Sequence, residues 1–149
     1  MKGEEDMGYR STVAYTIRFI PKHSPDTDDI VEERKARASF FTFLAEAKDN
    51  EDTALCFSED EEDHLDIDEE KLEFRFFAEY VKWYEDYPDV KCHEALMEMS
   101  KEWADENDCI GGAFARVGEN SDDNTEDCWG TGDYEWCYLS RSVNCDWIK

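Results

Sequence analysis

Basic residues are scarce in this chain of 149 residues: 16 Lys and Arg stand against 40 Asp and Glu, a formal net charge of −24. A protein that holds nucleic acid on its own surface needs Lys and Arg in excess, and one that rests on an anionic membrane needs a basic patch. Neither is supplied here, so direct nucleic-acid and membrane partners are set aside. No apolar run approaches the roughly 18 residues that span a bilayer. The opening Met1-Lys2-Gly3-Glu4-Glu5-Asp6 is polar and acidic, unlike an export signal. Only 3 prolines and 7 glycines occur, and no interior stretch reads as a linker between domains. Length suits one domain. The division expected is a flexible acidic leader over 1–10 and a single α+β domain over 11–149.

Catalytic signatures are absent as well. The three histidines, His23, His64 and His93, lie outside any nucleophile motif, and Gly111-Gly112 lacks the third glycine and the lysine of a phosphate loop. No cysteine pair has the Cys-x2-Cys spacing of a zinc chelate, since the nearest two of the six, Cys137 and Cys145, are eight apart. Cys92 and His93 are adjacent, which on a helix turns their side chains about a quarter turn apart; His93 reads as a surface residue. Reduced thiols suit a chain without an export signal. Asp66-x-Asp68 would place two carboxylates on one strand face, but a metal nuclease also needs positive charge to hold its substrate. Asp122-Asp123-Asn124 lacks the spaced loop of a calcium site. The expectation is a non-enzyme without metal or cofactor.

What is abundant is acid and aromatic side chain together. Five Trp, seven Tyr and nine Phe exclude the acidic disordered class, which is poor in aromatics. The acid is unevenly placed. Residues 1–48 hold nine acids and eight bases, whereas residues 49–149 hold thirty-one acids and eight bases. It concentrates in Glu59-Asp60-Glu61-Glu62-Asp63 with Asp66, Asp68, Glu69 and Glu70, and again in Glu119 to Asp127 with Asp122, Asp123, Glu126 and Asp127. Solubility needs a net charge of only about 2–8; the rest asks for another explanation.

Periodicity gives the elements. Ser11 to Ile20 alternates as a strand; Asp28 to Lys48 reads as a helix with an apolar stripe of Val31, Ala38, Phe41, Leu44 and Ala45. Thr53 to Phe57 is a short strand candidate, Leu72 to Tyr84 a long one, Asp89 to Glu106 a second helix, and Ile110 to Gly118 and Tyr134 to Val143 are strands. Glu119 to Asp133 is read as a polar connection. The order matches a ferredoxin-like split βαβ unit with an extra C-terminal strand: a two-layer sandwich, two helices on one face of an antiparallel sheet. The expected core is Val13, Tyr15, Ile17, Phe41, Leu44, Leu96 and Trp103. Aromatics of both parities in Leu72 to Tyr84 require a bulge near Phe76-Phe77 or a cover on both faces, the cover being a second copy in a twofold homodimer.

Three stretches carry a resemblance. Met7-Gly8-Tyr9-Arg10-Ser11-Thr12-Val13-Ala14, Gly112-Ala113-Phe114-Ala115-Arg116-Val117-Gly118-Glu119 and Tyr138-Leu139-Ser140-Arg141-Ser142-Val143 resemble segments of a family of small uncharacterised phage proteins that open on Met-Gly-Tyr-Arg-Ser. The resemblance implies phage origin and the cytoplasm of an infected bacterium; it implies no activity. Six residues precede Met7, a departure from that pattern.

The leading functional expectation joins charge to origin. Duplex DNA presents one charge per ~1.7 Å of axis, and carboxylates in rows imitate it. The chain would occupy the basic nucleic-acid-binding site of a host defence protein, of restriction or CRISPR type. The partner-binding candidates are Glu59, Asp60, Glu61, Glu62, Asp63, Asp66, Asp68, Glu69, Asp122, Asp123, Glu126 and Asp127. Two alternatives stand beside it: an interaction protein that grips a host factor through exposed aromatics, and an enzyme or nucleotide binder whose site is assembled only in the fold.

Overall fold

The computed structural model describes residues 9–21, 28–57, 65–84, 86–120, 123–131, 137–139 and 143–147. It is an α+β structure with two helices and a five-stranded antiparallel sheet. The strands are β1 (Ser11–Phe19), β2 (Asp66–Asp68), β3 (Glu73–Val81), β4 (Ile110–Gly118) and β5 (Asn124–Gly130), in the spatial order β2-β3-β1-β4-β5. The helices are α1 (Asp29–Asp49) and α2 (Pro88–Glu106). A separate pair, β6 (Cys137–Leu139) and β7 (Val143–Cys145), closes the chain.

α1 starts where the sequence supplies a cap: the Asp28 carboxylate accepts from the Ile30 amide at 2.9 Å, and Asp29 and Glu32 meet the positive end of the helix. α2 starts at Pro88, which needs no amide partner there. β1 is the centre of the sheet. Its odd residues Val13, Tyr15, Ile17 and Phe19 share one core with Phe74 and Phe76 of β3, with Phe40, Phe43 and Leu44 of α1 and with Leu96 and Met97 of α2.

The buried stripe of α1 is Ala36, Phe40, Phe43, Leu44 and Ala47. This corrects the expected stripe by about one position: Val31 and Phe41 are exposed, at 43% and 38%, and Ala38 and Ala45 lie outside as well. In the run Phe40-Phe41-Thr42-Phe43-Leu44 two helical registers compete. The observed one buries two phenylalanines and a leucine where the alternative buries one phenylalanine and a leucine. Trp103 is only partly buried.

Two strands are drawn from acidic sequence read as connection. β2 and β5 lie at opposite edges of the sheet, where one ladder suffices and polar side chains keep contact with water. Thr53 to Phe57 is not a strand; Ala54–Phe57 form a 3-10 turn. Of the strand read at Tyr134 to Val143, residues 134–136 and 140–142 lie outside the described residues; Cys137–Leu139 form β6, which pairs with β7, and the fifth strand of the main sheet is β5.

The bulge sits further along β3 than Phe76-Phe77. Val13 faces Ala78 and Ser11 faces Val81, so Thr12 stands opposite both Glu79 and Tyr80. Tyr80 takes a φ of 59°, the left-handed region. Before the bulge Phe74, Phe76 and Ala78 point into the helical core; after it Val81 does. Phe77 packs on the other face with Ala14, Ala113, Ala115 and Cys145, joined by Ile20, Val143 and Trp147. That face is therefore covered in part by the chain's own C-terminal segment.

Arg18 pins this cover. Its guanidinium is nearly buried, donates to both Asp146 oxygens at 2.9 and 2.6 Å, and lies 5.7 Å from the Trp147 ring centre. Asp146→Ala is expected to cost about 1–2 kcal/mol, the value of charge-assisted hydrogen bonds discounted for the exposure of Asp146. Urea denaturation followed by fluorescence checks it; an unchanged midpoint would show that the pair adds nothing.

Candidate functional site

The described acidic candidates separate into two groups. Asp66, Asp68 and Glu69 belong to the β2 edge; Asp123, Glu126 and Asp127 belong to the β5 edge. Four inter-strand steps of about 4.8 Å, or roughly 19 Å, lie between those edges, so the sheet does not bring the groups together. Glu59, Asp60, Glu61, Glu62, Asp63 and Asp122 lie outside the described residues.

Most of the described candidates hold the fold's own cations. Arg75 reaches Asp66 at 2.6 Å and Asp68 at 3.5 Å. Asp68 also accepts the Lys71 and Glu70 amides; these amides, the Lys71 one foremost, with Arg75 hold its carboxyl below the usual range. Arg116 binds Asp123 at 2.6 Å, and the Tyr9 hydroxyl donates to the same carboxylate at 2.6 Å. Arg116, then Tyr9, hold Asp123 low. Lys101 pairs with Asp127 at 3.0 Å and with Glu98 at 3.2 Å. Burial alone would push the Lys101 ammonium down, but these two carboxylates outweigh it and raise it. Glu69 is exposed on the turn after β2. Glu126 is exposed on the sheet face opposite Asp127, since its partner Ala115 packs against the C-terminal segment.

Between α2 and the β4–β5 edge runs a groove of about 440 Å³. Trp83, Met97, Phe114 and Trp129 give it apolar surface, and Glu94, Glu98, Asp123 and Asp127 with Lys101 and Arg116 give it charge. Gly112 leaves room for the Trp129 indole, which a Cβ at that position would strike at 2.3 Å. Trp129 Nε1 donates to Ser100 Oγ at 2.8 Å, and the Lys101 ammonium stands 5.0 Å from the Trp129 ring centre. The wall is thus built to hold a cation over an aromatic face between carboxylates.

α2 extends this charge. It carries six acids and two bases, whereas α1 carries five acids and four bases. Glu94, Glu98, Glu102 and Asp105 fall within one stripe, spaced about 5.5 Å along the axis. Of these, Glu102 and Asp105, like the neighbouring Glu106, are exposed and take part in none of the ion pairs found among the described residues. The sequence reading passed over this row because its acids are interleaved with apolar residues. Projecting α2 on a helical wheel would have shown it.

The chain matches no protein-family model, no curated protein and no solved structure.

A second cluster lies inside the core. His93 is 1% exposed, which corrects its reading as a surface residue: Tyr15, Phe76 and Trp83 surround its ring. Burial pushes its pKa down to about 4, so the imidazole is neutral at neutral pH. Tyr15 Oη lies 2.6 Å from Nδ1; a neutral ring accepts there with its proton on Nε2. Cys56 Sγ stands 3.6 Å from the same Nδ1. Cys92 completes a group of three buried donors whose ligand atoms all lie within 4.8 Å of one another. The spacing test on cysteines missed this group because Cys56 arrives from the distant 3-10 turn.

Proposed function

We propose that the chain is a non-enzymatic binding protein that lays the acidic outer face of α2, with the adjoining groove, on the basic nucleic-acid-binding surface of another protein and so excludes nucleic acid from it. The observation that carries this reading is the row Glu98, Glu102 and Asp105 with Glu106, continuous through Lys101 and Asp127 with an aromatic-floored groove. Its spacing of about 5.5 Å is of the same order as the ~3.4 Å between charges along one DNA strand. Arg or Lys of a partner would pair with the carboxylates, and one such side chain would enter the groove over Trp83 or Trp129. The phage resemblance makes a host defence nuclease the partner class and the infected cytoplasm the setting. We read the strand order β2-β3-β1-β4 with both helices in one core as the split βαβ, two-layer arrangement, extended by β5.

The test is capture from a bacterial lysate on the immobilised chain, with bound proteins released by salt raised from about 0.1 to about 1 M, which shortens the screening length from ~10 to ~3 Å. Nucleic-acid-binding proteins should be retained and should leave as salt rises. The triple variant Glu102→Gln, Asp105→Asn, Glu106→Gln should bind the same partner about tenfold more weakly, three exposed pairs being worth roughly 1–2 kcal/mol together. Retention of that partner at unchanged salt by the triple variant would overturn the reading. If Trp83→Ala alone abolished capture while the triple variant did not, the aromatic interaction reading would replace it.

A further inference from the structure

We propose that Cys56, Cys92 and His93 form a binding site for one zinc-class ion, independent of the acidic face. The donors come from two elements: Cys56 from the 3-10 turn Ala54–Phe57, and Cys92 and His93 from α2. All three are inside the protein, at 3%, 2% and 1% exposure, and neither cysteine is in a disulfide.

The spacing fits. A tetrahedral zinc site has Zn–S near 2.3 Å and Zn–N near 2.0–2.1 Å, which sets its sulfur and nitrogen ligands about 3.5 Å apart. Cys56 Sγ and His93 Nδ1 already stand 3.6 Å apart. The remaining donor separations are within 4.8 Å and need a closure of about 1.3 Å at most, because on one zinc two sulfurs lie about 3.8 Å apart and a sulfur and a nitrogen about 3.5 Å. Cys92 now donates to the Asp89 carbonyl at 2.9 Å, a bond its thiolate would give up. Ordinary core packing explains two buried cysteines and a buried histidine one by one. It does not require Cys56 Sγ to lie against the ring nitrogen of a residue 37 positions away, with a second thiol beside them.

The charge fits also. Two thiolates, one neutral imidazole and a divalent ion sum to zero, the state that a dry site tolerates. Each thiol gives its proton to solvent as its sulfur bonds the ion: two Zn–S bonds form, two protons leave, and nothing is oxidised. Magnesium and calcium, which take six or more oxygens, have no such set here. Tyr15 Oη, 2.6 Å from Nδ1, lies on the side of that nitrogen where the ion would sit, so the hydroxyl swings aside on binding and leaves the fourth position open. The ion would clamp the turn after α1 to α2. Binding would strengthen as the fold forms around it.

The experiment is cobalt(II) addition to the reduced, chelator-treated protein, both native and refolded with the metal. The expected result is one cobalt per chain with the intense visible bands of tetrahedral coordination and a near-ultraviolet thiolate-to-cobalt charge-transfer band, both bleached by one equivalent of zinc. Cys56→Ser and Cys92→Ser should each halve the charge-transfer intensity and weaken binding roughly 100-fold or more, since even an outer-shell partner is worth 10–100-fold. Cys128→Ser, on exposed β5, should change neither. Should a variant fail to fold, the parent protein decides: in urea near the unfolding midpoint, where buried thiols open to the reagent, zinc should protect Cys56 and Cys92 more than Cys128 from alkylation mapped by mass spectrometry. Absence of tetrahedral bands in both preparations would overturn the site. So would alkylation of Cys56 and Cys92 unaffected by zinc.

Discussion

Phe74→Ala is expected to lower stability by about 3–5 kcal/mol, the range for emptying a phenylalanine from a close-packed core. Phe74 is fully buried at the middle of the helix–sheet contact. Its ring centre lies 5.0 Å from that of Phe40, 5.5 Å from Phe43 and 6.4 Å from Phe19, so three rings from two other elements lose their neighbour at once. The backbone on either side is fixed by pairing with Ile17 and Ile67, which limits collapse into the space. Against a total stability of ~5–15 kcal/mol for a domain of this size, the loss should shift the urea midpoint sharply without changing the slope. A loss below ~1 kcal/mol would mean that the cavity closes, and that α1 is not seated on β3 as described.

The second large effect is a dependence on pH. His93 titrates near 6.5 in the unfolded chain, and burial pushes it down to about 4 in the fold. Between those values the unfolded chain binds a proton that the folded chain refuses, so stability is full above pH 6.5 and falls as the pH drops toward 4. The difference of about 2.5 units corresponds to roughly 3 kcal/mol. Carboxylates protonate over part of the same range, and relief of their repulsion acts the other way. The measurement is therefore a comparison: urea unfolding of the metal-free protein, with chelator, at several pH values, beside His93→Gln. The parent should lose stability relative to the variant as acid is added. Parallel curves for the two would show that His93 is solvated.

The sequence announced the parts whose causes are local. The alternation in β1 acts within a few residues and appears in the fold: Val13, Tyr15, Ile17 and Phe19 face the helices and Ala14 the other side. Edge strands escaped because pairing on one side only does not demand apolar residues: Asp66–Asp68 and Asn124–Gly130 each hold only one or two among polar neighbours. The α1 stripe was misplaced by about one position because adjacent phenylalanines satisfy two registers. His93 and Cys56 escaped for a different reason. Their meeting depends on which turn the helix presents to the 3-10 segment, and that is settled by Tyr15 and Phe76, far away in sequence. Of the acidic candidates, Asp123 and Asp127 do line the groove, but as counter-ions of Arg116 and Lys101. Sequence shows how many acids there are and leaves open which of them the fold consumes.

The unequal charge of the two helices has a kinetic meaning. α1 is nearly balanced, with Arg34, Lys35 and Arg37 exposed, while α2 carries a net of −4. Charge is therefore spread unevenly across the helical layer. On the binding reading proposed above, a positive surface at a distance would attract α2 more strongly than α1 and so favour approaches with α2 forward. Encounters would then begin more often with α2 facing the partner, so a larger share of collisions would be productive. The exposed Arg34, Lys35 and Arg37 of α1 would take no part in such an encounter and would keep that side turned away.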